Sequence, residues 1–363
     1  MSRRRVAVVL FNLGGPDGPD AVRPFLFNLF NDPAIIRLPW FLRRPLAALI
    51  SSRREAAAKA NYALMGGASP LLPETHKQAA ALEVALVEQL PGHVARCFVA
   101  MRHWHPLTGE AARDVSAFQP EEVVLLPLYP QYSTTTTASS LKAWRKTHAW
   151  NPLRKDAWNA SYWNPPVPRR TRAVCCYPVE AGFVKAYADG IQAAWEAAGS
   201  PSPVRLLFSA HGLPESVIKA GDPYQAQVEA TAAAIAERLP GLPDWQVSYQ
   251  SRVGPMKWIG PSTDAATIQA SREGLSLVVA PIAFVSEHIE TLVELDHEYA
   301  ALAVENGCPS YTRVPTPTTV PDFITGLARS VVQALKQGED ICAGSAWTCP
   351  DGFTCPRRKG ELP

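Results

Sequence analysis

No uninterrupted apolar run in the 363-residue chain approaches the roughly 18 to 20 residues a membrane-spanning helix requires, so no segment reads as transmembrane. Charge of one sign is missing too. The 35 Lys and Arg against 33 Asp and Glu leave a net +2, which removes the electrostatic case for a nucleic-acid partner. C-x-x-C and H-E-x-x-H spacings, the usual marks of a zinc site, are absent. No G-x-G-x-x-G follows the first apolar run, so Leu13-Gly14-Gly15 is a weak dinucleotide signal. The opening MSRRRVAVVLFNLGG sets arginines before apolar residues, but Asn12 and a Gly-Gly-Pro turn interrupt it and no small-residue cleavage site follows; it reads as a first strand. Cysteine is sparse and lopsided. Cys97, Cys175, Cys176 and Cys308 lie in the body, and Cys342, Cys349 and Cys355 crowd the last 22 residues. An odd, tail-weighted set argues against a secreted disulfide framework and for a reducing cytoplasm. There the tail thiols are either metal or iron-sulfur ligands completed by a body cysteine, or unligated groups in a frayed terminus.

What is present is a chain that is 47% hydrophobic and long enough for two core-forming units. Val-, Leu- and Phe-rich runs alternate with Ala-rich stretches, the pattern of parallel sheets with crossover helices. The runs predict strands over Val6 to Phe11, Val94 to Ala100, Glu122 to Pro127, Val204 to Ser209, Trp245 to Gln250 and Leu275 to Ile282. Helices are predicted over Thr75 to Gln89, Leu141 to Thr147, Gly182 to Ala198, Gln225 to Glu237, Asp264 to Glu273, Ile289 to Asn306 and Pro321 to Gln337. The stretch from His148 to Thr171 has neither period and marks the boundary. The expected fold class is therefore α/β: two similar Rossmann-like doubly wound domains, 1–165 and 166–338, with a cleft between them and a cysteine-bearing tail, 339–363. Many of the 34 prolines sit at strand ends, stiffening loops that would line such a cleft. Ser133 and the four threonines after it are either helix N-cap chemistry or an anion site of hydroxyls and amides.

Two strand-to-loop junctions carry the chemistry. LLFSAHGLP places His211, and VVAPIAFVSEHIETLVELD places His288 and Glu290, just past buried apolar runs. In an open α/β sheet ligands bind beyond the carboxyl ends of the strands, so both junctions would face one crevice. Imidazole with carboxylate there implies metal or proton chemistry. Glu287, Glu290 and Glu294 fall at i, i+3 and i+7 along a predicted helix start, with His288 and Asp296 among them; this is either a proton or metal path or a solvated face.

Taken in order, LFNLGGPD (10–17), FLFNLFNDPAII (25–36), NYALMGGASPLL (61–72), AMRHWHP (100–106), LPLYPQYSTTTTASSLKAW (126–144), FSAHGLP (208–214), GDPY (221–224), YQSRVGPMKWIGPST (249–263) and PIAFVSEHIETLVELDHEY (281–299) resemble the ferrochelatase family over most of the chain. The resemblance implies insertion of ferrous iron into protoporphyrin IX, with release of two protons, in the terminal step of haem synthesis. It assigns the active-site histidine to His211 and its partner carboxylate to Glu290, with Glu287, His288, Glu294 and Asp296 as a proton or metal path on a helix carrying a π-type distortion. Leu13, Tyr129, Trp258 and Phe284 match the porphyrin slot; Arg54, Tyr62, Ser69, Arg102 and Ser251 match polar positions around it. His103 departs from the family, where tyrosine is usual. The residues suit this chemistry independently: an imidazole titrating near pH 6.5 accepts a proton or binds a borderline divalent cation.

The same resemblance makes residues 36–50, with Leu38 to Leu46 at their centre, a pocket lip. Exposed Trp40, Phe41 and Leu42 beside Arg43 and Arg44 would suit an anionic membrane surface; burial as an ordinary helix is the alternative. The expected location is cytoplasmic and peripheral to the inner membrane, and homodimerisation is left open. The tail resembles that of family members carrying a 2Fe-2S cluster, giving Cys342, Cys349 and Cys355 as ligands and Cys176, ahead of Cys175, as the fourth. Two rivals stand beside this reading: a non-catalytic haem or tetrapyrrole carrier on the same scaffold, and a cobalt-inserting chelatase.

Overall fold

The computed structural model describes residues 4–148, 170–251, 256–339, 341–342, 349 and 352–354. Its first parallel sheet has the order β2-β1-β3-β4-β9: β1 (Arg4–Asn12), β2 (His93–Met101), β3 (Glu122–Pro127), β4 (Thr171–Cys176) and β9 (Ile341–Cys342). Val6 to Phe11 are buried on both faces, which is why this strand reads as a continuous apolar run instead of alternating. Around the sheet lie α1 (Val22–Phe30), α2 (Trp40–Ala63), α3 (Leu71–Gln89), α4 (Thr108–Phe118) and α5 (Thr137–His148).

The second parallel sheet has the order β6-β5-β7-β8: β5 (Val204–His211), β6 (Trp245–Gln250), β7 (Ser276–Ala280) and β8 (Tyr311–Arg313). Its companions are α6 (Ala181–Ala197), α7 (Glu215–Lys219), α8 (Tyr224–Ala236), α9 (Thr263–Arg272), α10 (Ala300–Glu305) and α11 (Pro321–Gln337). A π-helix over Glu290–Tyr299 leads into α10, so the helix expected from Ile289 begins with the distortion that the resemblance implied. The apolar core is continuous across both halves, from Leu10 and Leu82 through Tyr177 and Phe183 to Phe208 and Val278.

The expected boundary at residue 165 lies outside the described residues, but β4 beyond it pairs with β3 of the first sheet. The chain therefore leaves that sheet after Cys176 and returns to it at Ile341, where β9 pairs with β4. Arg172 hides this strand from a reading of apolar runs; it is buried, and its guanidinium donates to Glu122 across 2.5 Å. Helix α11 likewise crosses back to pack on α3 and β4 as well as on α6. The prediction also missed α1 and α4, and saw α2 only as the lip at its start.

Candidate active site

β5 ends at His211 and is the central neighbour of β6 and β7, so the loops after all three strands open at one edge. His211 pairs in register with Gln250 at the end of β6. The imidazole Nδ1 lies 2.6 Å from the Gly212 carbonyl. A carbonyl only accepts, so Nδ1 carries the proton and the neutral ring presents its Nε2 lone pair, 4.0 Å from Glu290 Oε1. Gly212 is required here: a Cβ would stand 2.9 Å from the Gln250 carbonyl and 3.2 Å from the Trp258 ring, which packs directly against the histidine's neighbour.

Glu290 opens the π-helix, and its Oε2 is buried with no hydrogen-bond partner among the described residues. Burial pushes its carboxyl up to about 8. Glu294, one step along, is pushed up to about 7 by burial and by the charge of Glu290. Ser251 Oγ donates to Glu294 Oε2 at 2.6 Å, and Gln250 Nε2 donates both to that oxygen (3.1 Å) and to the Glu290 carbonyl (3.0 Å). Gln250 is itself held by Ser209, whose hydroxyl donates to Oε1 at 2.6 Å. Burial lowers the His211 imidazole, opposed by Glu294, and pushes His288 down to about 4. His288 packs on Phe284, with ring centroids 4.5 Å apart.

The acid row does not act as one face. Arg313 on β8 donates through Nε to Asp296 (2.5 Å) and through Nη1 to both oxygens of Glu287 (3.0 and 3.1 Å), and the Thr316 amide adds a bond of 2.8 Å to Glu287. Burial raises the Glu287 carboxyl, and these donors outweigh it, leaving the group below its usual range. Glu287 and Asp296 thus share the Arg313 cation, while Glu290 and Glu294 have no arginine or lysine partner among the described residues.

A second constellation forms at the carboxyl ends of β1, β2 and β3. The Leu13 carbonyl accepts from the His103 amide (2.9 Å), and Gly15 presses so closely on Ser69 that a Cβ would meet its Oγ at 2.4 Å. Arg102 Nη2 pairs with Asp32 at 2.7 Å, and Ser139 bridges the two: Arg102 Nε donates to its Oγ, which donates to Asp32 Oδ2, each at 2.8 Å. His103 is buried with its Nε2 3.9 Å from Asp32, and burial pushes its imidazole down to about 3. Burial also raises the Tyr129 phenol, which feels Arg102 and Asp32. The two constellations meet through an apolar cluster of Val22, Phe25, Leu26 and Tyr62 against Trp104 and Ile289; burial and the Glu290 charge raise the Tyr62 phenol. Arg54 stays apart, exposed on α2 with its guanidinium 5.9 Å from the Phe30 ring centroid. Asp32, Gln250 and Arg313 escaped sequence reasoning because each draws its meaning from partners far along the chain.

The hydroxyl-rich loop at Ser133 is an anion site whose anion is the chain's own. Asp222 Oδ2 accepts from Ser133 Oγ (3.0 Å), Thr134 N (2.7 Å) and Thr134 Oγ1 (2.7 Å). Behind it the cysteines converge: Sγ atoms of Cys175, Cys176 and Cys342 lie within 4.8 Å of one another, and Gln227 Nε2 donates to Cys176 (3.5 Å) and Cys349 (3.6 Å). Cys355 lies outside the described residues.

Two parallel sheets, with a histidine and buried acids at the carboxyl ends of the second, define a chelatase-like α/β protein. The solved structure of SirB from Bacillus subtilis with Fe3+ shares this fold at 11% identity, with a TM-score of 0.53 over 92% of this chain and 98% of that one. The ferrochelatase family profile matches residues 5–335. A ferrochelatase of Caulobacter vibrioides is 59% identical over 359 residues, 98% of this chain and 99% of its own length; one of Phenylobacterium zucineum is 58% identical over 357 residues, again 98% and 99%. The chain belongs to the ferrochelatase family. It is a metal-insertion enzyme of the lyase class that places ferrous iron in a porphyrin in haem synthesis, which sets aside the carrier and cobalt alternatives.

Proposed function

We propose that the porphyrin is protoporphyrin IX and that it is metallated between His211 with Glu290 on one side and Leu13, Ser69, Arg102 and Tyr129 on the other. The observation that carries this reading is the buried Glu290 carboxyl, its Oε2 without a hydrogen-bond partner among the described residues and its Oε1 4.0 Å from the lone-pair nitrogen of His211. Metallation exchanges two pyrrole N–H protons for one ferrous ion. His211 Nε2 accepts a proton from the macrocycle and passes it to Glu290 once that carboxyl, which holds its own proton up to about pH 8, has released it toward Glu294. Glu294, aimed by Ser251 and Gln250, continues the path. Glu287 and Asp296, held by Arg313, and His288, held on Phe284, frame that path without carrying it. Trp258, Phe284 and Tyr62 supply apolar and aromatic surface for the ring, and Arg54 and Arg102 are the cations offered to its propionates. The test is His211→Ala: iron insertion is lost while porphyrin affinity stays within roughly tenfold. Parallel loss of binding and turnover would make His211 a structural residue.

The lip is the proposed membrane contact. Trp40 and Phe41 are 67% and 58% exposed at the start of α2, Leu42 and Leu38 are exposed beside them, and Arg44 is exposed, whereas Arg43 is spent on the Asn31 and Leu38 carbonyls. The proposed association is peripheral, on the cytoplasmic side of the inner membrane; no helix of the described residues is long and apolar enough to cross a membrane. The converging thiols fit a 2Fe-2S centre, for which Cys176, Cys342, Cys349 and Cys355 are the proposed ligands with Cys175 adjoining. Such a cluster supplies a one-electron centre and ties down the tail.

A further inference from the structure

Gln227 is wholly buried on α8, a position where an amide must satisfy both its ends. Its Oε1 accepts from the Tyr132 backbone N–H at 2.7 Å. A backbone N–H only donates, so this contact fixes which end of the amide is oxygen and forces the NH2 group toward the sulfurs. That NH2 reaches Cys176 Sγ at 3.5 Å and Cys349 Sγ at 3.6 Å, one cysteine from β4 of the first sheet and one from the tail. Gln227 on the second half thus joins two thiols that lie 173 positions apart in the chain.

We propose that Gln227 is a positioning residue of the cysteine site: it holds Cys176 and Cys349 in register and, through two N–H···S bonds, sets the reduction potential of the cluster they bind. The inference rests on the cluster reading given above. Hydrogen bonds to ligand sulfur stabilise the more electron-rich state, so they raise the potential, and their removal lowers it. The backbone end of the same amide is Tyr132, which lies between Gln131, donating to the Ile282 carbonyl (3.2 Å), and Ser133, donating to Asp222. The thiols are therefore registered against a loop of the first half that is itself bonded to the second.

The experiment uses full-length protein purified anaerobically, with iron and sulfide analysis followed by a redox titration monitored by visible absorbance and EPR. Wild type should carry iron and acid-labile sulfide at about two each per chain. Gln227→Glu keeps an oxygen for the Tyr132 amide and loses the donor; Gln227→Met loses both at similar volume. Both should show a more negative midpoint and severalfold faster bleaching in air. Thr231→Val, which breaks equally buried bonds one turn along α8, should lower the melting temperature and leave the midpoint unchanged. A midpoint that moves as far in Thr231→Val means that loosening of the helix is responsible and overturns the assignment, as does an unaltered midpoint in both Gln227 variants. If neither variant folds, nitrogen-15 glutamine labelling of wild type decides: pulsed EPR of the reduced centre should detect the amide nitrogen, and no coupling rejects the proposal. Wild type without sulfide overturns the cluster reading instead.

Discussion

Glu290 shows how one residue's surroundings change its chemistry. An unfolded glutamate titrates near 4.5 and this one near 8, so between those values the folded chain holds a proton that the unfolded chain has released. Stability associated with this group is complete below about pH 4.5 and drains away as pH rises to about 8. Glu290→Gln, which cannot ionise, should therefore gain in melting temperature relative to wild type as pH rises from 5 to 8, while its iron insertion falls. A melting difference that stays constant over that range would assign Glu290 an ordinary carboxyl. Glu294 shifts in the same direction and adds a weaker trend in the same window.

At the scale of elements, α11 ties the halves together, packing on α6 of the second and on α3 and β4 of the first. Glu180 caps α6 by accepting from the Gly182 amide (2.7 Å) and the Phe183 amide (2.9 Å), and Arg329 of α11 donates to its other oxygen at 2.7 Å. A Cβ at position 182 would fall 2.1 Å from the Asp322 carbonyl at the start of α11, a backbone atom that cannot swing aside. Gly182→Ala should cost about 1 to 3 kcal/mol in urea unfolding, the usual range for overpacking. A cost near zero would mean that α11 slides readily on α6. Beside this junction Phe183 packs edge-on to Tyr177 and Tyr187 and tilted against Phe323, so the cap and an aromatic cluster act on the same contact.

For the whole molecule, buried amides and hydroxyls cross between the halves. Gln78 of α3 donates to the Val285 carbonyl (2.7 Å) and accepts from Ser286 (2.9 Å), in the loop that delivers His288 and Glu290 to the site. The lip projects from the first half with its aromatics uncovered, Trp40 edge-on to Phe41 at 6.1 Å. Trp40→Ser combined with Phe41→Ser should weaken sedimentation with anionic liposomes and leave the melting curve nearly unchanged, because exposed rings contribute interfacial affinity and little core packing. Unchanged sedimentation would remove the membrane role from this surface.

The chain alone was enough to indicate two α/β halves, the strands Val204 to Ser209 and Trp245 to Gln250, and the Pro321–Gln337 helix, because apolar periodicity and strand-end chemistry are local. Its ordered motifs likewise pointed to the family. Only the folded molecule decided which acids are available: Glu287 looks equivalent to Glu290 in spacing until Arg313, 26 residues away, binds it together with Asp296. Only it returned β4 to the first sheet, with the buried Arg172 paired to Glu122 50 positions earlier, and β9 after it, paired to β4. Only it turned the threonine loop's anion into Asp222 and brought Cys176 and Cys349 together on Gln227. Burial and charge pairing are sums over neighbours distant in the chain, and no window of sequence contains those neighbours.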